Sequence, residues 1–186
     1  SCVGSNHTTL HAIRKMQERT PFGPDDIDEI VVHGSHVTVE HVGWPYEPQG
    51  LTSAQLNLPF CVATLLLEGD VFVDQFSEAV VNDAKRIALS RKVKVLHDPA
   101  ITERGSNFRH MVRVQVALKN GTRMEETVKA PRGSEKSFAS EADVVRKFTT
   151  LATHTVGAAQ AARIVELVLG ADRLARAADL VEALAA

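Results

Sequence analysis

Cysteine is scarce in this sequence, and the scarcity excludes a disulfide scaffold. The two that occur, Cys2 and Cys61, read as free thiols in a reducing cytoplasm. With no cysteine triplet, the chain cannot hold an iron–sulfur cluster through the usual thiolate set. Positive charge is not in excess either. Lys and Arg number 21 against 23 Asp and Glu, so the overall balance gives no electrostatic case for nucleic acid or an acidic membrane as a partner. No apolar run reaches the ~18 residues of a membrane span. A glycine-rich phosphate loop is missing, as are a nucleophile elbow and a Ser-His-Asp order. The chain opens SCVGSNH, without methionine or a lead-in loop, and reads as an internal segment of a longer protein. What it does hold is 44% apolar and 24% charged residues over 186 positions. That is enough for one domain with a sizeable core, or one domain plus an extension.

The most apolar stretch is Thr52 to Gly69, TSAQLNLPFCVATLLLEG. Apolar residues crowd every face from Leu58 to Leu67, so the spacing predicts a buried helix. Thr52 fits its N-cap, Gly69 its C′ position, and Pro59 a kink after the first turn. Before it, a helix is expected from Asn6 or Thr8 to Arg19, with Leu10, Ile13 and Met16 on one stripe. Ile30 to Val42 reads as extended, with Gly34-Ser35 as a bulge or turn. Gly43 to Gly50 is a loop. Glu78 to Arg91 reads as a helix and Lys92 to Leu96 as a strand. Arg109 to Leu118 sets Val112, Val114, Val116 and Leu118 on one face. Asn120-Gly121 predicts a type I′ hairpin returning along Thr122 to Lys129. From Ser140 the chain is helical: 140–153, 156–169 and 172–185, with Ser140 and Asp143 as a capping box. The pattern is α+β, a small domain with an antiparallel hairpin-containing sheet packed on helices, over 1–138. C-terminal helices of bundle character follow over 139–186.

Few residues carry obvious chemistry. His7 and His11 stand at the i, i+4 spacing of metal ligands, but the sequence names no third ligand, and ordinary helix histidines are the plainer reading. His33, His36 and His41 fall in the segment read as extended, where residues 33 and 36 point to opposite faces. Arg132-Gly133-Ser134 can hold an anion through its guanidinium and backbone N–H groups, or be a solvated loop. Gln55 and Asn57 can bind carboxylate or hydroxyl groups, or satisfy local backbone. Tyr46, the one tyrosine, is a candidate acid or donor if its loop folds onto a cleft.

The order of these pieces resembles the MmgE/PrpD family, which includes 2-methylcitrate dehydratase, cis-aconitate decarboxylase and iminodisuccinate epimerase. SCVGSNHTTLHAIRKM is similar to its Cys- and His-containing loop leading into a helix. DDIDEIVVHG is similar to its Asp-Ile-x-x-Ile-Val strand, and TSAQLNLPFCVATLLLEGDV to its Ala-Gln-x-Ser segment with the apolar helix, with Asn57 where many members have serine. NDAKRIALSRKVKVLHDP, the Asn120-Gly121 hairpin, Pro131-Arg132-Gly133 and the Lys147-Phe148 helix follow in order. The resemblance implies a lid domain that closes over a large all-helical domain, and final helices that return to that domain. It further implies catalytic residues upstream of Ser1, a homodimer, no cofactor and no metal. His7, Tyr46, Gln55 and Asn57 match lid positions facing the cleft, with His7 and Tyr46 as candidate catalytic groups. Gln55, Asn57 and Arg132 are candidate binders of a small carboxylate. A 2-methylcitrate-dehydratase-like lyase is the activity implied, with decarboxylation, epimerisation or a non-catalytic interaction module as alternatives.

Overall fold

Alternation of β-branched residues builds a mixed sheet. In the computed structural model, which describes residues 2–185, its strands are β1 (Ile27–Gly34), β2 (Val93–His97), β3 (Val112–Leu118) and β4 (Arg123–Val128). Their spatial order is β2-β1-β3-β4. β1 runs parallel to β2, with Val32 opposite Val95, and antiparallel to β3, with Val32 opposite Val114. β3 and β4 form the expected antiparallel hairpin, with Val116 opposite Met124. Val112, Val114, Val116 and Leu118 are all buried, as their alternation predicts. The other face is polar: Gln115 Nε2 donates to Glu125 (2.7 Å) beside Arg113.

The hairpin turn is not type I′. Gly121 is left-handed (φ 88°), while no residue other than glycine has positive φ among those described. Gly121 N–H donates to Leu118 O (2.9 Å), and Leu118 N–H to Thr122 O (2.9 Å). This is the three-residue solution, a type I turn closed by a left-handed glycine. Asn120 Oδ1 takes the Thr122 N–H (3.0 Å), so the asparagine shapes the turn without entering the left-handed region.

Ten helices frame this sheet and follow it among the described residues. α1 (Gly4–Arg19) and α4 (Leu58–Glu68) meet the sheet's apolar face, where Ile13, Met16, Leu58 and Val62 share a core with Ile30, Val32 and Val114. Between them lie α2 (His36–Val42) and α3 (Leu51–Leu56). α2 corrects the extended reading of 30–42. Ser35 ends the strand and caps the helix, its Oγ accepting the Thr38 N–H (3.3 Å). Gly34 permits the sharp reversal, since a Cβ there would lie 2.9 Å from Thr38 Cβ. The long central helix is likewise two. The chain breaks at Asn57, which is extended (φ −83°, ψ 120°) and caps α4, so Pro59 sits in a first helical turn instead of kinking an interior. Gly50, not Thr52, is the N-cap of α3, and Gly69 ends α4 in the left-handed region as expected (φ 76°). The helix expected over 78–91 divides into α5 (Glu78–Val81) and α6 (Ala84–Ser90), because Asp83 Oδ1 accepts the Lys85 N–H (3.1 Å) and starts a new helix. α7 (Pro99–Thr102) is a single turn capped by Asp98.

Asn57 uses its amide fully. It is wholly buried, its Oδ1 accepts the Phe60 N–H (2.9 Å), and its Nδ2 donates to Trp44 O (2.7 Å). Asn57→Ala loses the cap and strands the Trp44 carbonyl, which is expected to cost roughly 2–4 kcal/mol. Asn57→Ser keeps a cap acceptor without burying a charge and should cost less. Urea denaturation of both variants checks this, and equal losses would refute the division of labour.

Residues up to Ser137 form one compact unit and those from Phe138 a second. The second holds α8 (Glu141–Ala152), α9 (Ala158–Leu169) and α10 (Ala178–Leu184). Ser140 and Asp143 make the reciprocal capping box. The helix expected from Asp172 begins only at Ala178, after a 3-10 turn at Ala171–Arg173. An apolar groove between α8 and α9 is lined by Val144, Phe148, Ile164 and Val168, and Val144 (59%), Val181 (67%) and Leu184 (55%) are exposed.

Candidate functional site

The first turn of α1 is fixed from below. The helix opens at Gly4 after an extended Val3, so Asn6 lies inside it and not at the cap expected from sequence. The Asn6 side chain is wholly buried. Its Nδ2 donates to Gln55 O (3.3 Å) and to Cys61 Sγ (3.3 Å), while Val3 N–H donates to the same Gln55 carbonyl (3.2 Å). The start of α1 is thereby tied to the junction of α3 and α4. His7, one residue on, faces out of this anchored turn, and its Nε2 donates to Cys2 O (3.3 Å).

Cys2, half-buried, completes a small electrostatic unit with His7 and Cys61. A hydrogen bond from the buried Cys61 thiol, with help from His7, brings the Cys2 thiol down from 9.0 to about 5. The same contact, with burial, pushes Cys61 well up. Its hydrogen bond to Cys2 raises His7 above 6.5. Cys2 is therefore a thiolate at neutral pH, and the His7 imidazolium is held to higher pH than an ordinary imidazole's. Its thiolate fraction rises with pH through about 5, so iodoacetamide alkylation of Cys2 is expected to plateau before pH 7. An ordinary thiol would still be accelerating there. Cys61→Ala should move the plateau to higher pH more than His7→Asn does, since Cys61 is the larger cause. Peptide mass mapping across pH tests both, and a rate still rising at pH 8 in the wild type would contradict the assignment.

Further basic groups gather near this turn. Burial lowers the pKa of His110, and the charges of Arg109, His41 and His7 lower it further, which places all four within electrostatic reach. Arg109 Nε donates to His110 Nε2 (3.0 Å). The Arg109 carbonyl is held by Ser35 Oγ (2.6 Å) and Thr38 Oγ1 (3.2 Å), which anchors this turn to the start of α2. Burial lowers His11, one turn beyond His7, and Lys15 and Arg132 lower it further. One end of the first unit is thus rich in imidazole and guanidinium, groups suited to a small carboxylate and to moving a proton beside it. Among the described residues, no three His, Cys, Asp or Glu side chains come together as a metal site.

The sequence-derived candidates distribute unevenly. His7 is exposed at this end, and Gln55 stands just behind it, contributing its backbone carbonyl. Arg132 is exposed on the 130–138 loop, close enough to His11 to be felt by its ring. Tyr46 lies elsewhere. It is 6% exposed, its ring is 4.4 Å from that of Phe60, and its hydroxyl donates to Val81 O (3.0 Å). Burial pushes its phenol up. Asn57 is committed to backbone as described above. Sequence reasoning passed over Arg109 and His110, took Asn6 only as a cap and Cys2 only as a free thiol, and set His41 aside in a segment read as extended. The i, i+4, i+5 relation of Cys2, Asn6 and His7 at a helix start was the one readable signal among them.

The family model of the MmgE/PrpD C-terminal domain matches residues 1–172. Across 193 aligned residues the chain is 28% identical to a cis-aconitate decarboxylase of Aspergillus terreus (strain NIH 2624 / FGSC A1156), covering 99% of this chain and 39% of that protein. It is 28% identical over 189 residues to the cis-aconitate decarboxylase-like protein oryM of Aspergillus oryzae (strain ATCC 42149 / RIB 40), covering 97% and 38%. The chain thus spans about two fifths of the length of the curated relatives it matches.

Proposed function

This chain belongs to the MmgE/PrpD family, and from that premise we propose that it is part of a cofactor-independent lyase acting on a small tricarboxylate. The match to the C-terminal domain, with relatives named for cis-aconitate decarboxylation, carries the reading. The basic end of the first unit supports it. A tricarboxylate needs cationic and N–H partners for its carboxylates, and elimination beside a carboxylate needs a positioned acid and base. His7, exposed on an anchored turn and with its pKa raised by its hydrogen bond to Cys2, is the acid: it delivers a proton to the carbanion left as CO₂ departs, or to a departing hydroxyl. Arg132 and the Arg109–His110 pair offer donors to the carboxylates.

Decarboxylation is the reading that the relatives' names favour, and 2-methylcitrate-type dehydration is the alternative with the same charge requirements. Residues 1–138 act as a lid, and residues 139–186 return to a helical domain supplied by the rest of the protein. The exposed Val144, Val181 and Leu184 and the groove beside Phe148 are apolar surface of the kind such a contact covers. No described helix is long and apolar enough to cross a membrane.

The test is product analysis by proton NMR, giving the full-length protein cis-aconitate and 2-methylcitrate separately. Loss of CO₂ or of water from one of them is the expected result. Inversion without mass change would replace the lyase with an isomerase, and inertness toward both would end the reading. Residues 1–186 alone are expected to turn over neither, because the site is divided.

A further inference from the structure

A groove of about 430 Å³ runs between the 106–110 turn and the 129–136 loop, within the first unit. Its cationic lining is Arg109, Lys129 and Lys136, with His110 in the wall and Glu135 as the one acid. In this unit Arg14, Lys15, Arg19, Arg86, Lys94 and Arg113 each pair with a carboxylate. Among the described residues, the three in the groove have none. Arg109 uses its Nε on His110, and Lys136 donates to Asn107 O (3.3 Å) and lies 5.2 Å above the Phe108 ring, which holds the ammonium without neutralising it.

His110 adds direction. A guanidinium can only donate, so the 3.0 Å contact from Arg109 Nε makes His110 Nε2 the acceptor and places the ring proton on Nδ1. That Nδ1 is buried and has no partner among the described residues. A buried N–H without an acceptor costs free energy that a bound acceptor restores. Three cations without ion pairs beside one oriented, unanswered donor are the arrangement a carboxylate completes, one oxygen on Nδ1–H and the other on Arg109. The two lysines then suit a second carboxylate, and the volume suits a ligand of that size.

We propose that this groove is a binding site for a small polycarboxylate, gripped by His110, Arg109, Lys129 and Lys136. The choice of carboxylate over other small anions rests on the functional reading above.

The experiment uses the full-length protein and tricarballylate, a saturated tricarboxylate with no hydroxyl to lose. Calorimetry should show binding that weakens about tenfold or more in Lys129→Ala/Lys136→Ala and returns in Lys129→Arg/Lys136→Arg. The His110 imidazole nitrogen resonances should shift on titration in the wild type. Absent binding, affinity indifferent to the alanine pair, or unmoved His110 signals during binding would each overturn the site. Inorganic phosphate binding as tightly as tricarballylate, with the same sensitivity to the lysines, would overturn the carboxylate assignment. The two readings fail separately. A protein inert toward tricarboxylate substrates that still binds tricarballylate through the lysines keeps the groove and loses the lyase. Normal turnover with KM unchanged in the alanine pair, and tricarballylate affinity unchanged with it, keeps the lyase and loses the groove.

Discussion

If the proposed lyase activity holds, the His7→Asn variant of the full-length protein is expected to lose about 10²–10⁴-fold in kcat while folding as well as the wild type. Folding should be spared because the His7 ring is exposed and the helix start is held by Asn6 and Val3 on Gln55 O, neither of which the change touches. Asparagine keeps a polar amide at this exposed position. What it cannot do is carry and release a proton. The hydrogen bond to Cys2 raises His7 above 6.5, so the acid form is present below the raised pKa and is lost as pH rises through it. The wild-type rate should therefore fall on the alkaline side, and the variant should lack that limb. His11→Asn is the control one turn away. Burial lowers that ring, so it stays neutral at pH 7 and should leave the profile unchanged. An unaltered kcat in His7→Asn, or an intact alkaline limb, would remove His7 from the chemistry.

The legible part of this protein was the part written in local pattern. The alternation in Val112–Leu118 and the Asn120-Gly121 signal fixed the pairing of β3 with β4, because both act within about a dozen residues. The turn class escaped since Asn-Gly serves more than one hairpin geometry. Residues 36–42 misled because Val37, Thr38, Val39 and Val42 carry strand propensity, and a Ser35 cap with Gly34 clearance outweighed it. At the central helix the correct signal was present and under-read. Asn57-Leu58-Pro59 is an N-cap followed by proline in the first turn, which marks a helix start as surely as proline marks a kink. The basic end was legible only at His7 and Arg132, which the sequence offered as candidates. His7, His41 and Arg109-His110 are scattered through the sequence, and a net charge of −2 conceals a local excess that only the fold assembles. Tyr46 illustrates the converse. A lone tyrosine in a Pro/Gly loop looked available for chemistry, and the fold spends its hydroxyl on Val81.

Phe60→Ala should be the most damaging single substitution in the first unit, at about 3–5 kcal/mol, a large share of the ~5–15 kcal/mol that holds a domain together. Phe60 is wholly buried at the start of α4, in a small core of Tyr46, Ala54 and Val81 set apart from the sheet. Its ring centre lies 4.4 Å from Tyr46 and 6.3 Å from Phe76. The Arg86 guanidinium sits 5.6 Å above it. Arg86 is itself 3% exposed, ion-paired to Glu68 and donating to Thr64 Oγ1 (2.8 Å), whose hydroxyl donates back to Phe60 O (2.9 Å). Removing the ring therefore opens a cavity and uncovers one face of a buried cation. Because Asn57, Phe60 and Cys61 share one helical turn, the damage should reach the site. Loosening the start of α4 frees Gln55 O and Cys61 from Asn6, and Cys2 should lose thiolate character. Two measurements separate packing from electrostatics. Urea denaturation gives the total loss, and Phe60→Leu, which keeps apolar volume but not the aromatic face, should cost less than Phe60→Ala yet more than the ~1.5 kcal/mol of a volume-conserving swap. Iodoacetamide mapping of Cys2 in Phe60→Ala supplies the link to the site. A plateau still near pH 5 in that variant would mean that the turn bearing His7 is held independently of the small core.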